Sequence, residues 1–305
     1  MTTGQILIVD DDTAFVELYR ELLEAEGHRV LVANTPEAGT QLLQTRGNEV
    51  DVVLIDQKLQ GPGGPDVGLE LLARVRQLTP FAKSIIVTGY SSPEAITRAF
   101  AEGVYDYLVK NGAFEALLKA KVRNAVEITS ERRFASLGKD ARDRALRETW
   151  AASKTETNPN RKGALLEELI RLLFMGTPGL ESVTTRLRNV SEEIDISVRN
   201  ETAAGAWSKE GPYILAECKN WSGKADAREY AVFRDKLANK FNRARAGLFF
   251  SVGGFTKGFE EKLVQDRKGD VLIVAVDADG IDRWISATDR LAYLNELHQK
   301  AALGG

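Results

Sequence analysis

Residues 5–12, QILIVDDD, combine a run of apolar strand residues with three consecutive aspartates. A continuous apolar run of this kind is typical of a strand that is covered on both faces of a sheet. The following residues, 13–27, place five apolar side chains on one helical face and end at Gly27. The stretch therefore predicts a buried strand, an acidic loop and an amphipathic helix in succession.

The same alternation of strand and helix continues to residue 127. Helical patterns separate four further strand-like runs, which read RVLVAN, VDVVLIDQ, SIIVTGY and DYLVK. Strands that alternate with helices predict a parallel, doubly wound α/β sheet. Functional groups in such sheets gather at the carboxyl ends of the strands.

Reactive side chains follow the ends of these predicted strands: Asp10, Asp11, Asp56, Thr88 and Lys110. Three bare carboxylates would repel one another, so a cation is expected among them, with Asp56 left as the nucleophile. A single aspartate at a strand end is usually a helix cap. Five such groups at one edge of a sheet instead favour a functional site.

The pattern ILIVDDD…LIDQ…VTGY…YLVK spans residues 4–127 and resembles a response-regulator receiver domain. The resemblance implies a flavodoxin-like fold and a phosphoryl group transferred to Asp56 by a sensor histidine kinase. It also implies that Asp10 and Asp11 hold Mg²⁺ together with Asp56.

The same resemblance assigns the switch residues. Thr88 and Lys110 would contact the phosphoryl oxygens, and Tyr107 would be the aromatic side chain that changes rotamer. Two features depart from the family pattern: Asn111 replaces the usual proline after the lysine, and the loop QKLQGPGGPD after Asp56 is unusually rich in glycine.

Composition bounds the class of protein. The 305 residues are 43% hydrophobic and 28% charged, which predicts a globular protein of roughly two domains. We expect a cytoplasmic protein with no membrane partner, because the sequence shows neither a long apolar span nor a secretory signal. One cysteine and two histidines exclude a disulfide framework and the usual zinc cluster. Any metal is therefore expected on carboxylate oxygens, which favours Mg²⁺ or Mn²⁺.

Charge is spread unevenly along the chain. Residues 1–127 contain 12 basic and 18 acidic side chains, whereas the remainder contains 29 basic and 26 acidic ones. The slightly basic second part is compatible with nucleic-acid binding without requiring it.

Residues 128–160 are polar and helix-prone, and we interpret them as a helical linker between domains at 1–127 and 161–305. The linker is either a spacer or a signalling helix that pairs two chains. A phosphorylation switch needs an element that moves, so the second interpretation, with a homodimer, is the preferred one.

The second domain begins with a strong helical pattern, KGALLEELIRLLFMG, at residues 162–176. Three strand-like runs follow, and then helix and strand alternate to the C-terminal helix. This order predicts an α/β domain with a mixed sheet.

Three polar side chains of this domain can meet on neighbouring strands. In ILAECKNW, Glu217 and Lys219 share one strand face because strand side chains alternate, and Asp195 projects from the preceding strand. An aspartate and a glutamate so placed can bind a hard divalent cation, and the lysine can orient water or offset negative charge. The alternative is an exposed Glu217–Lys219 ion pair, which contributes only about 0–1 kcal/mol.

The pattern KGALLEEL…EIDISV…ILAECKNW resembles the PD-(D/E)xK nucleases, and among them the Mrr-type restriction-endonuclease-like domains. The resemblance implies that Asp195 and Glu217 bind Mg²⁺, that Lys219 is the catalytic lysine and that Glu167 is the helix acid, with Glu168 as the fallback. Ile194 stands where the motif name has proline.

The combined expectation is a response regulator whose phosphorylation at Asp56 controls a Mg²⁺-dependent DNA endonuclease, with DNA preferred over RNA. The alternative is a phospho-regulated module that binds nucleic acid or protein without cleavage. Trp207 and Trp221 flank the site strand and could contact DNA, although packing is the plainer interpretation.

Overall fold

The computed structural model describes residues 3–59, 66–188, 193–240, 243–266 and 269–303. Contacts divide the chain after Leu137 into a first unit that ends there and a second unit that begins at Gly138. Each unit has its own five-stranded sheet.

The sheet of the first unit is parallel throughout and has the strand order β2-β1-β3-β4-β5. Its strands are β1 to β5: Gln5–Val9, Arg29–Ala33, Val50–Asp56, Lys83–Thr88 and Asp106–Val109. Its helices are α1 to α5: Thr13–Ala25, Pro36–Arg46, Val67–Leu78, Pro93–Ala101 and Phe114–Ser136. The predicted flavodoxin-like, doubly wound arrangement is confirmed.

Both faces of this sheet are buried, as the apolar run of β1 predicts. Ile6 and Ile8 pack on one face against residues of α1 and α5. Leu7 and Val9 pack on the other face against residues of α2 and α3. Because side chains alternate between the two faces of a strand, β1 contributes residues to two separate hydrophobic cores.

Helix α5 runs well past the expected domain boundary at residue 127. The hydroxyl of Thr129 donates to the carbonyl oxygens of Asp51 and Phe81, at 3.0 and 3.2 Å. The guanidinium of Arg133 bonds the Asp51 carboxylate at 2.7 Å and the Val50 carbonyl at 3.1 Å. These contacts with β3 and with Phe81, just before β4, hold the last turns of α5 in the first unit.

The expected linker is therefore divided between the two units. Leu137 and Gly138 have extended backbones, with ψ of 143° and 166°, and end α5. Helix α6, Lys139–Thr155, belongs to the second unit, where Leu146 and Trp150 are buried. The Trp150 indole N–H donates to Asp282 at 2.6 Å. Residues 156–158 separate α6 from α7, and the side chain of Asn158 caps α7.

The sheet of the second unit is mixed, as predicted. Its order is β10-β9-β8-β7-β6, with β6, β7 and β8 antiparallel and β8, β9 and β10 parallel. The strands are β6 to β10: Leu180–Arg188, Glu193–Asn200, Tyr213–Lys219, Ala246–Ser251 and Leu272–Asp277. After α6 come α7 to α11: Pro159–Met175, Ala227–Ala238, Lys257–Gln265, Ala278–Ser286 and Arg290–Leu303.

Helices cover both faces of this second sheet. Phe249 of β9 packs edge-on against Phe233 of α8, with ring centroids 5.6 Å apart. Its neighbour Phe250 points the other way and stacks on Trp284 of α10 at 6.0 Å. Strand β8 lies in the middle of the sheet, so its carboxyl end is framed by neighbouring strands on both sides.

Candidate functional sites in the two units

The three aspartates that follow β1 have three different environments. Asp10 is buried, Asp11 is exposed, and Asp12 caps α1 by accepting hydrogen bonds from the amides of Ala14 and Phe15 at 2.9 and 3.3 Å. Asp12 therefore serves the helix, and Asp10 is left facing the edge of the sheet.

Asp10, Asp56 and Lys110 converge at the carboxyl edge of the first sheet. The Nζ atom of Lys110 lies 3.1 Å from Oδ2 of Asp10 and 2.9 Å from Oδ1 of Asp56. Burial raises the pKa of Asp10, and the ammonium of Lys110 opposes that shift. The two carboxylates thus share one positive charge in a site that is largely closed to water.

The expected trio of metal ligands is only partly assembled. Asp11 is exposed, and across the described residues no three acidic, histidine or cysteine side chains are grouped closely enough to hold a metal ion. Asp10 and Asp56 still suit a cation, because two buried carboxylates that face each other need a compensating charge. Lys110 supplies that charge in this structure.

Asp56 sits in a tight backbone environment. Its Oδ2 atom accepts a 2.6 Å hydrogen bond from the Lys58 amide. At Gly68, the second residue of α3, a Cβ atom would lie 2.0 Å from the Asp56 carbonyl oxygen. A glycine is needed there so that the helix can approach the strand end. Residues 60–65, which include most of the glycine-rich loop noted in the sequence, lie outside the described residues.

The predicted switch residues are hydrogen-bonded to neighbours of the site. The Thr88 hydroxyl both donates to and accepts from the Tyr90 backbone at 3.0 Å. The Tyr107 hydroxyl donates to Oε1 of Gln57 at 2.5 Å. Burial, followed by the charges of Asp66 and Asp56, raises the pKa of Tyr107 to about 12.

Gln57, the residue after Asp56, was not predicted to belong to the site. Gln57 joins Tyr107 to Asp66, whose Oδ1 accepts from Gln57 Nε2 at 2.8 Å. Position 57, directly after Asp56, was the available sequence signal. Asn111, the residue that replaces proline, donates its amide to the Val109 carbonyl at 2.8 Å, which proline could not do.

In the second unit, strand pairing places Asp195 on the same side of the sheet as Glu217 and Lys219. Ser197 pairs with Leu215, and Ile196 pairs with Ala216. Side chains alternate along both strands, so the next residues, Asp195 and Glu217, lie on the same face of the sheet. The Asp195 carboxylate also accepts a 2.8 Å hydrogen bond from the Cys218 amide. The sequence argument from alternation thus predicted the placement of these side chains.

The pKa of Asp195 depends on its burial and on the carboxylates around it. Burial, then the charges of Glu217 and Glu167, raises the pKa of Asp195 to about 7. The Cys218 hydrogen bond and Lys219 act in the opposite direction. Glu168 instead forms a double hydrogen bond to Arg171, with both distances 2.9 Å. Glu167 is the α7 carboxylate whose charge raises the pKa of Asp195.

Glu217 is held by two lysines. Lys219 Nζ lies 2.7 Å from Oε1, and Lys236 Nζ from α8 lies 2.6 Å from Oε2. Burial lowers the pKa of Lys219, but the pairing with Glu217 outweighs it and the net shift is upward. The contact of Lys236 with Glu217 was not predicted. The spacing of Lys236, three residues from the buried Phe233, was the signal for an inward position.

Asp195 and Glu217 fit a hard cation in their chemistry, since Glu217 is a buried carboxylate and Asp195 a half-buried one whose pKa the charge of Glu217 raises. In this structure the positive charge beside them comes from the two lysines. A cation there would have to compete with Lys236 and Lys219 for the Glu217 oxygens.

Asn220 was also missed by the sequence analysis. Its Nδ2 atom donates to the Ser153 carbonyl of α6 at 3.2 Å and to the Lys162 carbonyl of α7 at 2.7 Å. Its Oδ1 atom is buried without a hydrogen-bond partner among the described residues. The residue after Lys219 thus ties the site strand to two helices.

A parallel sheet of order 2-1-3-4-5 with buried aspartates and a lysine at its carboxyl edge defines a flavodoxin-like signalling domain. Residues 6–122 match the response regulator receiver domain. The first unit is therefore a receiver domain. The match ends before the second unit begins.

Curated relatives share this part of the chain. The alginate biosynthesis transcriptional regulatory protein AlgB of Pseudomonas putida is 37% identical over 107 residues, which cover 35% of this chain and 22% of that protein. The hydrogenase transcriptional regulatory protein HoxA of Cupriavidus necator is 33% identical over 123 residues, covering 40% of this chain and 24% of HoxA. The chain thus spans about a quarter or less of these relatives.

A solved structure with the same kind of domain is a CheY-like receiver domain protein from Methanospirillum hungatei. It is 33% identical, and the similarity covers 43% of this chain and 99% of that one, with a TM-score of 0.36. Separately, none of the helices in the described ranges has the length and apolar character needed to cross a bilayer.

Proposed function

We propose that the protein is a response regulator in which a sensor histidine kinase phosphorylates Asp56 and thereby controls a Mg²⁺-dependent DNA endonuclease in the second unit. The observation that supports the nuclease most directly is the placement of Asp195, Glu217 and Lys219 at one end of adjacent strands, with Glu167 beside them. A surface ion pair would not require the half-buried Asp195 on the same face of the sheet.

In the first unit, Asp56 offers a carboxylate oxygen to the phosphoryl group. Lys110, 2.9 Å from that carboxylate, offsets the added negative charge. Asp10 and Asp56 would hold Mg²⁺, which would neutralise charge on the phosphoryl oxygens. Thr88 would exchange its Tyr90 bonds for a phosphoryl oxygen, and Tyr107 would leave Gln57.

In the second unit, Asp195 and Glu217 would hold the cation, which would polarise the scissile phosphodiester. Lys219 keeps its ammonium charge beside Glu217 and stabilises negative charge that develops on the phosphoryl oxygens. Lys236 orients the other oxygen of Glu217. A homodimer would supply two such sites, one for each strand of a duplex.

The direct test is cleavage of supercoiled plasmid with Mg²⁺ or Mn²⁺, with and without acetyl phosphate as phosphodonor. The Lys219→Ala variant is expected to cut roughly 10²- to 10³-fold more slowly. Lys257→Ala, an exposed lysine on α9, is the matched control. Asp56→Asn should abolish any response to the phosphodonor. Equal cutting by Lys219→Ala and the wild type would refute the catalytic assignment.

A second candidate is a module that binds DNA without cutting it. The double pairing of Glu217 with Lys219 and Lys236 favours it, because both carboxylate oxygens already have a cationic partner. The relatives AlgB and HoxA are named transcriptional regulators. A salt-sensitive gel shift with no nicking in either metal would support this candidate over the nuclease.

A further inference from the structure

A cavity of about 480 Å³ opens beside Glu217 and Lys219, between the loop after β8 and helix α8. Residues that line it include Trp221, Lys224, Arg228 and Val232. Ligand pockets commonly have volumes of about 300–1,000 Å³. The cavity is therefore large enough for one small organic group placed next to the candidate reactive residues.

Trp221 differs from the other tryptophans of the protein. The chain has four, and all of them lie in the described ranges. Trp150, Trp207 and Trp284 are buried, whereas Trp221 is 45% exposed. A half-exposed indole beside a cavity that basic residues partly line is the kind of platform on which single-stranded nucleic-acid binders stack a base. Packing does not account for Trp221, although it does for Trp207, whose indole N–H donates to the Leu294 carbonyl at 2.9 Å.

The loop that carries Trp221 is braced at both ends. The Val252 amide donates to the Lys219 carbonyl at 3.0 Å, and the Ala225 amide donates to the Gly254 carbonyl at 2.9 Å. A Cβ atom at Gly253 would lie 2.0 Å from the Gly223 carbonyl oxygen. The wall of the cavity is thus preformed, which lowers the entropy cost of binding a ligand.

Three basic side chains, Lys219, Lys224 and Arg228, line the cavity together with three acidic ones, Glu217, Asp226 and Glu229. Lys219 Nζ lies 5.5 Å from the centre of the Trp221 ring and 2.7 Å from Oε1 of Glu217. The Lys219 ammonium is therefore close to both the indole ring and the Glu217 carboxylate. Lys224 and Arg228 are exposed. The acidic residues Asp226 and Glu229 are engaged with the first turn of α8 as a capping box. Lys224 and Arg228 are the basic side chains of the lining that can contact a phosphate.

We infer that the cavity holds one unpaired nucleobase of a DNA strand, stacked on Trp221, with its phosphate directed toward Lys224 and Arg228. The inference rests on the proposed function and narrows its substrate to DNA with a single-stranded or unpaired position. A base inside a duplex is stacked on both sides by its neighbours and cannot lie on the indole. It must be extruded or already unpaired.

The test uses the full-length protein in EDTA, so that binding is measured without cleavage. Fluorescence anisotropy compares three labelled DNA probes of one sequence: a single strand, a matched duplex, and a duplex with one bulged nucleotide. Trp221→Ala is expected to weaken binding of the single strand and the bulged duplex by roughly 5- to 100-fold. Binding of the matched duplex should not change, and Trp221→Phe should keep most of the affinity.

Tyr213→Ala is the matched control, because Tyr213 is 44% exposed at the other end of the same strand. It should bind all three probes as the wild type does. Equal affinity of Trp221→Ala and wild type for the single strand would overturn the inference. An equal loss for all three probes would do the same, because it would show a general contact and not a base pocket.

The outcome separates this inference from the nuclease assignment. If wild type cuts plasmid but Trp221→Ala binds every probe normally, the nucleotide pocket fails and the nuclease stands. If no metal supports cutting but the Trp221-dependent preference for unpaired DNA remains, the nuclease fails and the pocket stands as part of a binding module.

Discussion

Lys236 Nζ lies 2.6 Å from Oε2 of Glu217, on the carboxylate oxygen that Lys219 does not hold. The contact joins helix α8 to the end of strand β8 through two largely buried, oppositely charged groups. A cation that uses Glu217 as a ligand must therefore compete with an ammonium group for it.

Replacing Lys236 with alanine should tighten metal binding. A hydrogen bond to a charged group contributes about 1.5–3 kcal/mol, so we expect the Mn²⁺ concentration at half-saturation to fall by roughly 10-fold or more. Calorimetric titration of the full-length protein with Mn²⁺ measures this directly. Lys257→Ala on the exposed surface should titrate like the wild type. Unchanged or weaker binding by Lys236→Ala would show that the two cations do not share Glu217.

Replacing Asn220 with alanine should destabilise the second unit. The change removes both donors and leaves the carbonyls of Ser153 and Lys162 without this partner, at a cost of about 1–3 kcal/mol. All four tryptophans lie in this unit, so tryptophan fluorescence during urea unfolding follows it selectively. Asn239→Ala, at the exposed end of α8, should leave the midpoint unchanged. A wild-type midpoint for Asn220→Ala would contradict the bracing role.

Replacing Gly68 with alanine should disturb Asp56, the proposed phosphoacceptor. The new Cβ atom would overlap the Asp56 carbonyl oxygen, and such overpacking costs about 1–3 kcal/mol. We expect less phosphorylation of Asp56 by acetyl phosphate, measured by intact-protein mass spectrometry. Gly138→Ala is the control, because within the described residues nothing lies within 4 Å of its added Cβ atom. Equal phosphorylation of both variants would show that the close approach is not needed.

The first unit should lose stability as pH falls toward 5. His28 is buried with its Nδ1 accepting the Gly4 amide at 3.1 Å, and burial lowers its pKa from 6.5 to about 4. Below pH 6.5 the His28 side chain binds a proton in the unfolded chain, whereas in the folded chain it stays neutral until the pH nears 4. The free energy of unfolding should therefore fall by about 2 kcal/mol between pH 7 and pH 5.

Hydrogen exchange of amides in residues 4–137 measures this change in the intact protein. In His28→Asn the amide oxygen can still accept from Gly4, but nothing titrates at that position. The pH dependence of this variant should be shallower than that of the wild type by the same amount. Parallel profiles for the two proteins would exclude His28 as the cause.

Local sequence rules were sufficient where the site depends on strand geometry. Asp10, Asp56 and Lys110 follow the ends of parallel strands, and such ends meet at one edge whatever the loops do. Glu217 and Lys219 share a face because strand side chains alternate. These relationships are fixed by backbone periodicity, which can be read from residue order.

Contacts between separate elements were not available from the sequence. Lys236 reaches Glu217 only because α8 packs on the sheet through Phe233, so its role depends on the packing of the helix. The boundary at residue 127 was misplaced for the same reason. Thr129 and Arg133 look like ordinary polar helix residues until β3 supplies their partners.

The assignment of α6 to the second unit determines where the protein can be divided. A fragment that starts at residue 161 would lack Trp150 and Leu146, and it would expose the apolar surface that they cover. It would also remove the Ser153 carbonyl that accepts a hydrogen bond from Asn220, the residue after Lys219. Dividing the chain between Leu137 and Gly138, where the backbone is extended between two helices, keeps the hydrogen bonds of α5 in the first unit and those of α6 in the second unit. An output fragment intended for isolated enzymology should therefore begin at Gly138.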